Sequence, residues 1–178
     1  MYATVFETAL GHFGLGWTEA GICRVWLPGE APDALLKRQA ERGFSTTEPD
    51  RSIAQVLDRI EDYADGHETD FSAVALDLSG VPDSHRRAYA LLLQVGWGQT
   101  LTYGDLAREL GDVGLSRAVG QAMGANPIPL IIPCHRVLAS DGKPGGFSAP
   151  GGAASKVRML ALEGVSVGAP PGQMNFGF

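Results

Sequence analysis

Asn126-Pro127-Ile128-Pro129-Leu130-Ile131-Ile132-Pro133-Cys134-His135-Arg136-Val137 is the stretch on which the reading of this chain turns. Three prolines within seven residues fix φ and remove backbone donors, so no helix can form until after Pro133. A thiol that follows such a stiff apolar run is held in one place. A helical turn starting near Pro133 would set Cys134 at a helix N-terminus, where thiolate is favoured. His135 and Arg136 add a base and a positive charge beside it. Thiolate is a strong nucleophile even at partial ionisation, so the pattern reads as an activated cysteine. The residues alone leave a second reading open. Free cysteine is among the most buried residue types and commonly acts as a small hydrophobe, and adjacent Cys and His side chains often point apart. A metal site finds no support, because Cys23, Cys134, His12, His67, His85 and His135 show no ligand spacing.

Working outward, the segment before this stretch reads as helical. A helix starts at Ser84 or Asp83 as N-cap and carries Tyr89, Leu92 and Leu93. Thr102 caps a helix over Tyr103 to Leu110, and a short Gly- and Ala-rich helix covers Leu115 to Ala125. Gly111-Asp112-Val113-Gly114 joins these two as a helix-turn-helix, a geometry that serves plain packing as well as DNA contact. Gly80-Val81-Pro82-Asp83 reads as a linker. Upstream of it, three short strands lie around Tyr2–Phe6, Gly11–Trp17 and Ile22–Leu27, with Thr18-Glu19-Ala20-Gly21 as a hairpin turn. Ala34 to Arg42 and a longer stretch opened by Pro49-Asp50 read as helices, and Val74, Leu76 and Leu78 alternate as a strand would. The expected fold class is α/β (α+β): a small mixed N-terminal domain over residues 1–82, then a mostly helical, winged-helix-like C-terminal domain over 83–178. The tail from Gly168, with two prolines, is expected to fray. Trp17, Trp26 and Trp97 read as packing aromatics, Cys23 as a buried structural residue, and Arg86-Arg87 as a solvated helix face.

Composition bounds the rest. At 178 residues, 44% hydrophobic and 19% charged, the chain is an ordinary globular protein and not a disordered, collagenous or coiled-coil one. No apolar run approaches the ~20 residues needed to span a bilayer. Met1 to Glu7 lacks a basic segment followed by an apolar one, and two cysteines cannot build a disulfide framework. A reduced, cytoplasmic setting is expected, with no membrane partner. The net charge of −6 argues at first against nucleic acid, but the charge is uneven. Residues 1–84 hold 6 of the 14 Lys and Arg and 15 of the 20 Asp and Glu, a net of −9, which leaves +3 for residues 85–178. An anionic partner is therefore expected at the second half.

Pro133-Cys134-His135-Arg136-Val137, preceded by Asn126-Pro127-Ile128-Pro129, resembles the active-site signature of the methylated-DNA–protein-cysteine methyltransferases, the O6-alkylguanine-DNA alkyltransferases. The likeness runs from about Gly98 to Gly164. Thr102-Tyr103-Gly104-Asp105-Leu106-Ala107, Ser116-Arg117-Ala118-Val119-Gly120-Gln121-Ala122-Met123, Gly146-Phe147-Ser148 and Leu160-Ala161-Leu162-Glu163-Gly164 match further family segments in the same order. The first 84 residues are only loosely similar.

This resemblance implies irreversible, single-use transfer of an alkyl group from O6 of guanine in double-stranded DNA, and also from O4-methylthymine, to Cys134. It implies no cofactor and a monomer. It makes His135 the base that takes the thiol proton through a water, Glu163 its orienting carboxylate, and Asn126 a brace for the turn. Tyr103 becomes a hydrogen-bond or proton donor to the departing base, and Ser148 a contact near O6. Arg117 would fill the space left by the flipped nucleotide, while Ser116, Ala118 and Gly120 let the helix approach the minor groove. Arg136 and Phe147 complete the expected DNA contacts, although many family members carry tyrosine where Phe147 stands. Two rival readings remain: a non-catalytic binder of alkylated DNA, which would lack the cysteine, and a Cys-His thiol hydrolase acting on a small acyl substrate without DNA.

Overall fold

A computed structural model describes residues 1–167, so the proline-containing tail from Gly168 lies outside the described residues. Alternation of side chains along the first 26 residues produces three antiparallel strands, β1 (Tyr2–Thr8), β2 (Gly11–Thr18) and β3 (Gly21–Trp26). They are ordered β3-β2-β1, and β4 (Ser45–Thr46) joins β1 in parallel at the edge. β4 is only two residues long, too short for a periodic signal. Along β2 the odd positions Phe13, Leu15 and Trp17 bury into the main core. The even positions are Gly14 and Gly16. A Cβ at Gly14 would stand 2.6 Å from the Gln39 side chain, and one at Gly16 would stand 2.6 Å from Phe44. These two glycines therefore let Trp26, Gln39 and Phe44 pack flat on that face, together with α1 (Pro32–Glu41).

The opposite face carries α2 (Arg51–Ala64). Asp50 caps it by accepting hydrogen bonds from the Ser52 and Ile53 amides, and Ile53, Val56, Ile60 and Tyr63 face inward at intervals of three and four. The strand expected over Val74–Leu78 does not form. A single bridge joins Ile22 to Leu76. Pairing stops there because the Asp77 carboxylate turns to accept from Thr18 Oγ1 at 2.6 Å and from the Ser79 amide at 3.0 Å, which bends the chain away. Cys23 is half-buried and not fully buried, since β3 is an edge strand of this sheet.

The second half is built from α3 (Asp83–Leu92), α4 (Tyr103–Glu109), α5 (Ser116–Gly124) and α6 (Ala153–Leu162). Neither Asp83 nor Ser84 caps α3. Pro82 occupies the cap position, and Asp83 lies in the first turn, paired with Arg86. Thr102 caps α4 as its sequence predicts, within a reciprocal capping box with Asp105. Asp112 and a short 3-10 turn (Val113–Leu115) lead into α5. Tyr89 of α3 donates to the Ala122 carbonyl at 2.7 Å and fixes α5 against α3. A two-stranded parallel sheet, β5 (Leu101–Thr102) with β6 (Val137–Leu138), ties the start of α4 to the residues just after Cys134. One hydrophobic core runs through both halves, from Phe13 and Ile60 to Leu92, Leu106 and Ile132. Among the described residues, no helix is long and apolar enough to cross a membrane.

Candidate active site

The proline-rich stretch folds into a turn that is braced from inside. The Asn126 side chain donates from Nδ2 to the Ile132 carbonyl at 2.8 Å, and its Oδ1 accepts from the Ile128 amide at 3.0 Å. The Ile132 amide donates back to the Ile128 carbonyl at 2.9 Å, and the Cys134 amide to the Ile132 carbonyl at 2.8 Å. Leu130 is held at φ 78°, left-handed backbone that costs a non-glycine residue roughly 1–2 kcal/mol. Its own burial and this hydrogen-bond net hold it there. The Val25 amide donates to the Pro127 carbonyl at 3.0 Å and pins the turn to β3.

After Pro133 the chain makes one 3-10 turn, Cys134–Arg136, and passes directly into β6. The helix N-terminus expected at Cys134 is thus a single turn, too short to build a macrodipole. Burial pushes the Cys134 thiol above its usual range, while the Asn126 side chain and the charge of Lys156 work the other way. The resting group is a protonated thiol, and its activation requires a base.

The neighbouring residue is a candidate for that base. His135 is fully buried, and its Nε2 lies 2.6 Å from Glu163 Oε1. Burial holds its pKa below the ordinary histidine value, against the pull of Glu163. A neutral ring that donates from Nε2 keeps an acceptor lone pair on Nδ1. Nδ1 is buried and finds no partner among the described residues.

Glu163 closes α6 and gathers donors from four directions. Arg136 reaches it with Nε at 2.8 Å and a terminal nitrogen at 3.0 Å, Tyr63 Oη donates at 3.1 Å, and the Gly98 amide donates at 3.3 Å. Burial alone would raise this carboxyl, but the hydrogen bonds and charges of His135 and Arg136 outweigh it and hold the pKa at about 2. The expectation that Arg136 contacts DNA is corrected by this arrangement. Arg136 is 6% exposed, forks onto Glu163, and donates from its other terminal nitrogen to the Val95 carbonyl, so its guanidinium is committed to the buried carboxylate and the backbone and does not project to the surface as a phosphate contact would.

On the other side of Cys134 lies a cavity of about 430 Å³, lined by Tyr103, Gly120, Met123, Cys134, Phe147 and Ser148. Tyr103 is the first residue of α4 and is placed by the β5–β6 pairing. Burial, with Cys134 nearby, keeps its phenol above the ordinary value, so it stays protonated at neutral pH. The loop after Lys143 passes against it: a Cβ at Gly145, where φ is +66°, would stand 3.3 Å from the Tyr103 ring. Ser148 Oγ donates to the Gly124 carbonyl at 3.1 Å. The structure therefore gathers Cys134, Tyr103, Gly120, Phe147 and Ser148 around one cavity, with His135, Glu163 and Asn126 behind it. Arg117 and Ala118 are exposed on the outer side of α5, and the Ser116 hydroxyl donates back to the Val113 carbonyl at 2.8 Å.

Residues 83–165 match the family described as 6-O-methylguanine DNA methyltransferase, DNA binding domain. A methylated-DNA–protein-cysteine methyltransferase of Methanothermobacter thermautotrophicus is 34% identical over 154 residues, covering 86% of this chain and 80% of that protein. The chain belongs to the methylated-DNA–protein-cysteine methyltransferase family. A methyltransferase of the same name from Mycobacterium bovis is 39% identical over 130 residues, 72% of this chain and 76% of that one. The fold agrees with the crystal structure of Mycobacterium tuberculosis OGT in complex with DNA, at a TM-score of 0.71 and 29% identity over 92% of this chain and 93% of that chain.

Two residues of this methyltransferase's site escaped the sequence reading. Lys156 is fully buried on α6, its Nζ donating to the Val137 carbonyl at 2.5 Å and lying 5.8 Å from the Tyr103 ring and 5.9 Å from the Phe147 ring. Burial brings its pKa down to about 8. The available signal was its place in the stripe 156, 159, 160, 163, where a lysine interrupts an inward-facing helix surface. Lys156→Met, close in volume, is expected to raise the Cys134 pKa further and slow its alkylation by iodoacetamide about tenfold, one pKa unit of thiolate, read from the rate against pH. Tyr63, at the end of α2, had no signal, since it reads as one more core aromatic. Tyr63→Phe removes a donor to a buried carboxylate and should lower the unfolding free energy by about 2 kcal/mol in urea titration.

Proposed function

We propose that Cys134 is the acceptor in direct reversal of O6-alkylguanine damage in double-stranded DNA. The reaction takes the alkyl carbon onto Sγ, breaks its bond to O6, and leaves a thioether on the protein and an intact guanine in the duplex. The observation that carries this reading is the position of Cys134: its sulfur borders a cavity on one side, and the buried His135–Glu163–Arg136 group stands behind it. His135 Nδ1 takes the thiol proton through a water, and Glu163 steadies the imidazolium that results. The Tyr103 phenol donates to the departing base, which would otherwise leave as an anion. Thioether cannot hydrolyse, so each molecule acts once.

A base inside a duplex must be flipped out to reach this cavity, at a cost of a few kcal/mol. Arg117 on the exposed first turn of α5 takes the vacated place, with Ala118 beside it. A Cβ at Gly120 would meet nothing within 4 Å, which leaves that helix face open for DNA to approach. The chemistry and the DNA contacts of α5 fall in residues 83–178, which we treat as the functional domain. The unpaired thiols Cys23 and Cys134 suit the reducing cytoplasm.

The deciding measurement is intact-mass spectrometry after mixing the protein with a duplex that holds one O6-methylguanine. One added methyl group per chain, mapped to the Cys134 peptide, is the expected result. Tight binding without added mass would leave a damage binder, and turnover of a small acyl ester without DNA would leave a thiol hydrolase.

A further inference from the structure

A second cavity, of about 280 Å³, opens beside the first and shares Gly124, Cys134 and Ser148 with it. Its far wall comes from the other half of the chain and carries Arg24, Arg38 and Arg42. That half is strongly acidic. It holds only six Lys and Arg against 15 Asp and Glu, yet three of the six meet at this wall.

The three guanidiniums are not equivalent. Arg38 is neutralised by Glu30. Among the described residues, no carboxylate lies within ion-pair distance of Arg24 or Arg42. Arg24 projects from β3, is half-buried, and stands 5.8 Å from the centre of the Trp26 ring, a cation–π contact that fixes its place. Arg42 ends α1 and is exposed. Burial, and after it the like charge of Arg42, push the Arg24 guanidinium below its usual value. The repulsion between Arg24 and Arg42, neither paired with a carboxylate among the described residues, is an unfavourable contribution at the rim of this cleft. An anion with several acceptor oxygens would lower it, and the planar fork of arginine fits phosphate oxygens two at a time.

We infer that Arg24 and Arg42 form a phosphodiester-binding site through which the N-terminal half holds the lesion-bearing strand. The inference rests on the reading of Cys134 as acceptor, because a nucleotide placed at that thiol brings its own flanking phosphates to the shared rim at Gly124 and Ser148. It gives the N-terminal half a part in DNA binding that α5 and its loop do not supply.

The test is the salt dependence of binding to a duplex with one O6-methylguanine, in chains that all carry Cys134→Ala so that the lesion is not consumed: one otherwise wild type, one with Arg24→Gln/Arg42→Gln, and one with Arg24→Lys/Arg42→Lys. Each lost phosphate contact removes about 0.9 from the slope of log K against log salt, so the glutamine pair should flatten it by about 1.8. Between 50 and 200 mM salt the wild type then loses about 12-fold more affinity than the glutamine pair, and the lysine pair follows the wild type. Thermal midpoints of both variants report whether they fold. An unchanged slope in the folded glutamine pair would overturn the inference. So would weaker binding at unchanged slope that lysine does not restore, which marks a structural role against Trp26. Failure of the chain with Cys134 intact to gain a methyl group from the same duplex would instead sink the transfer reading itself.

Discussion

Cys134→Ala is expected to abolish methyl gain and to leave lesion binding in place. Transfer should fall by at least about a thousandfold, the scale seen when an enzyme's nucleophile is removed. Neither hydroxyl group at the cavity can substitute. The Ser148 hydroxyl and the Tyr103 phenol border it, but each remains protonated at neutral pH, and oxygen is a harder nucleophile for an sp³ carbon than sulfur. Cys23 lies on β3 outside both cavities, so the other thiol should carry no methyl group either. Binding should persist because Arg117 and Ala118 lie on the exposed side of α5 and do not depend on the thiol. Gel-shift titration of the variant on methylated and unmethylated duplexes, next to the intact-mass assay, separates the two outcomes. Loss of binding along with transfer would mean that Cys134 shapes the DNA surface, and methyl gain in the variant would move the acceptor elsewhere.

Glu163→Gln should produce the largest loss of stability. It leaves the Arg136 guanidinium buried beside a neutral amide, and breaking a buried pair in this way costs about 3–5 kcal/mol. Transfer should fall with it, since His135 loses the carboxylate that orients it. Adding Arg136→Met tells these effects apart. The double variant removes both charges and should recover much of the unfolding free energy while transfer stays low. The same carboxyl governs acid behaviour. Its folded pKa of about 2 lies below the ordinary 4.5, so its contribution is full above pH 4.5 and is lost as the pH falls toward 2, by about 3 kcal/mol in all. His135, held neutral by burial, adds a loss that begins earlier, below its ordinary 6.5. Urea titrations across this range should show wild-type stability falling from about pH 6 downward, and a flatter curve for the double variant.

Much of this was legible in the chain, for reasons that differ by element. β1 to β3 and α2 announce themselves because one face is buried and the period is regular, and Thr102 announces α4 because a capping box has a fixed spacing. The Val74–Leu78 strand failed because alternation says nothing about the Asp77 carboxylate, whose bond to Thr18 is non-local. At the site, Cys134, His135 and Glu163 were available from their resemblance to a family. The physical argument for a thiolate at a helix N-terminus was not upheld, since Pro133 leads into one short turn and burial raises the thiol. Arg136 was misread for a related reason. An arginine next to an active-site cysteine suggests a phosphate, and only the folded position of Glu163, 27 residues later, shows what it binds.

The hydrogen bond from Tyr63 to Glu163 has a consequence for how this molecule can be cut and how it can drift. With Cys134 as the proposed acceptor, the proposed reacting groups all lie after residue 83, and a gene fragment that begins there would encode all of them. It would also present α3 and the proline-braced turn with nothing where Ile53, Val56 and Ile60 had been, and leave the buried carboxylate one donor short. The N-terminal half can therefore change freely over most of its outer surface, and its inner face of α2 cannot. Such a fragment would be expected to precipitate before it met a lesion, although no atom that touches the alkyl group had been removed.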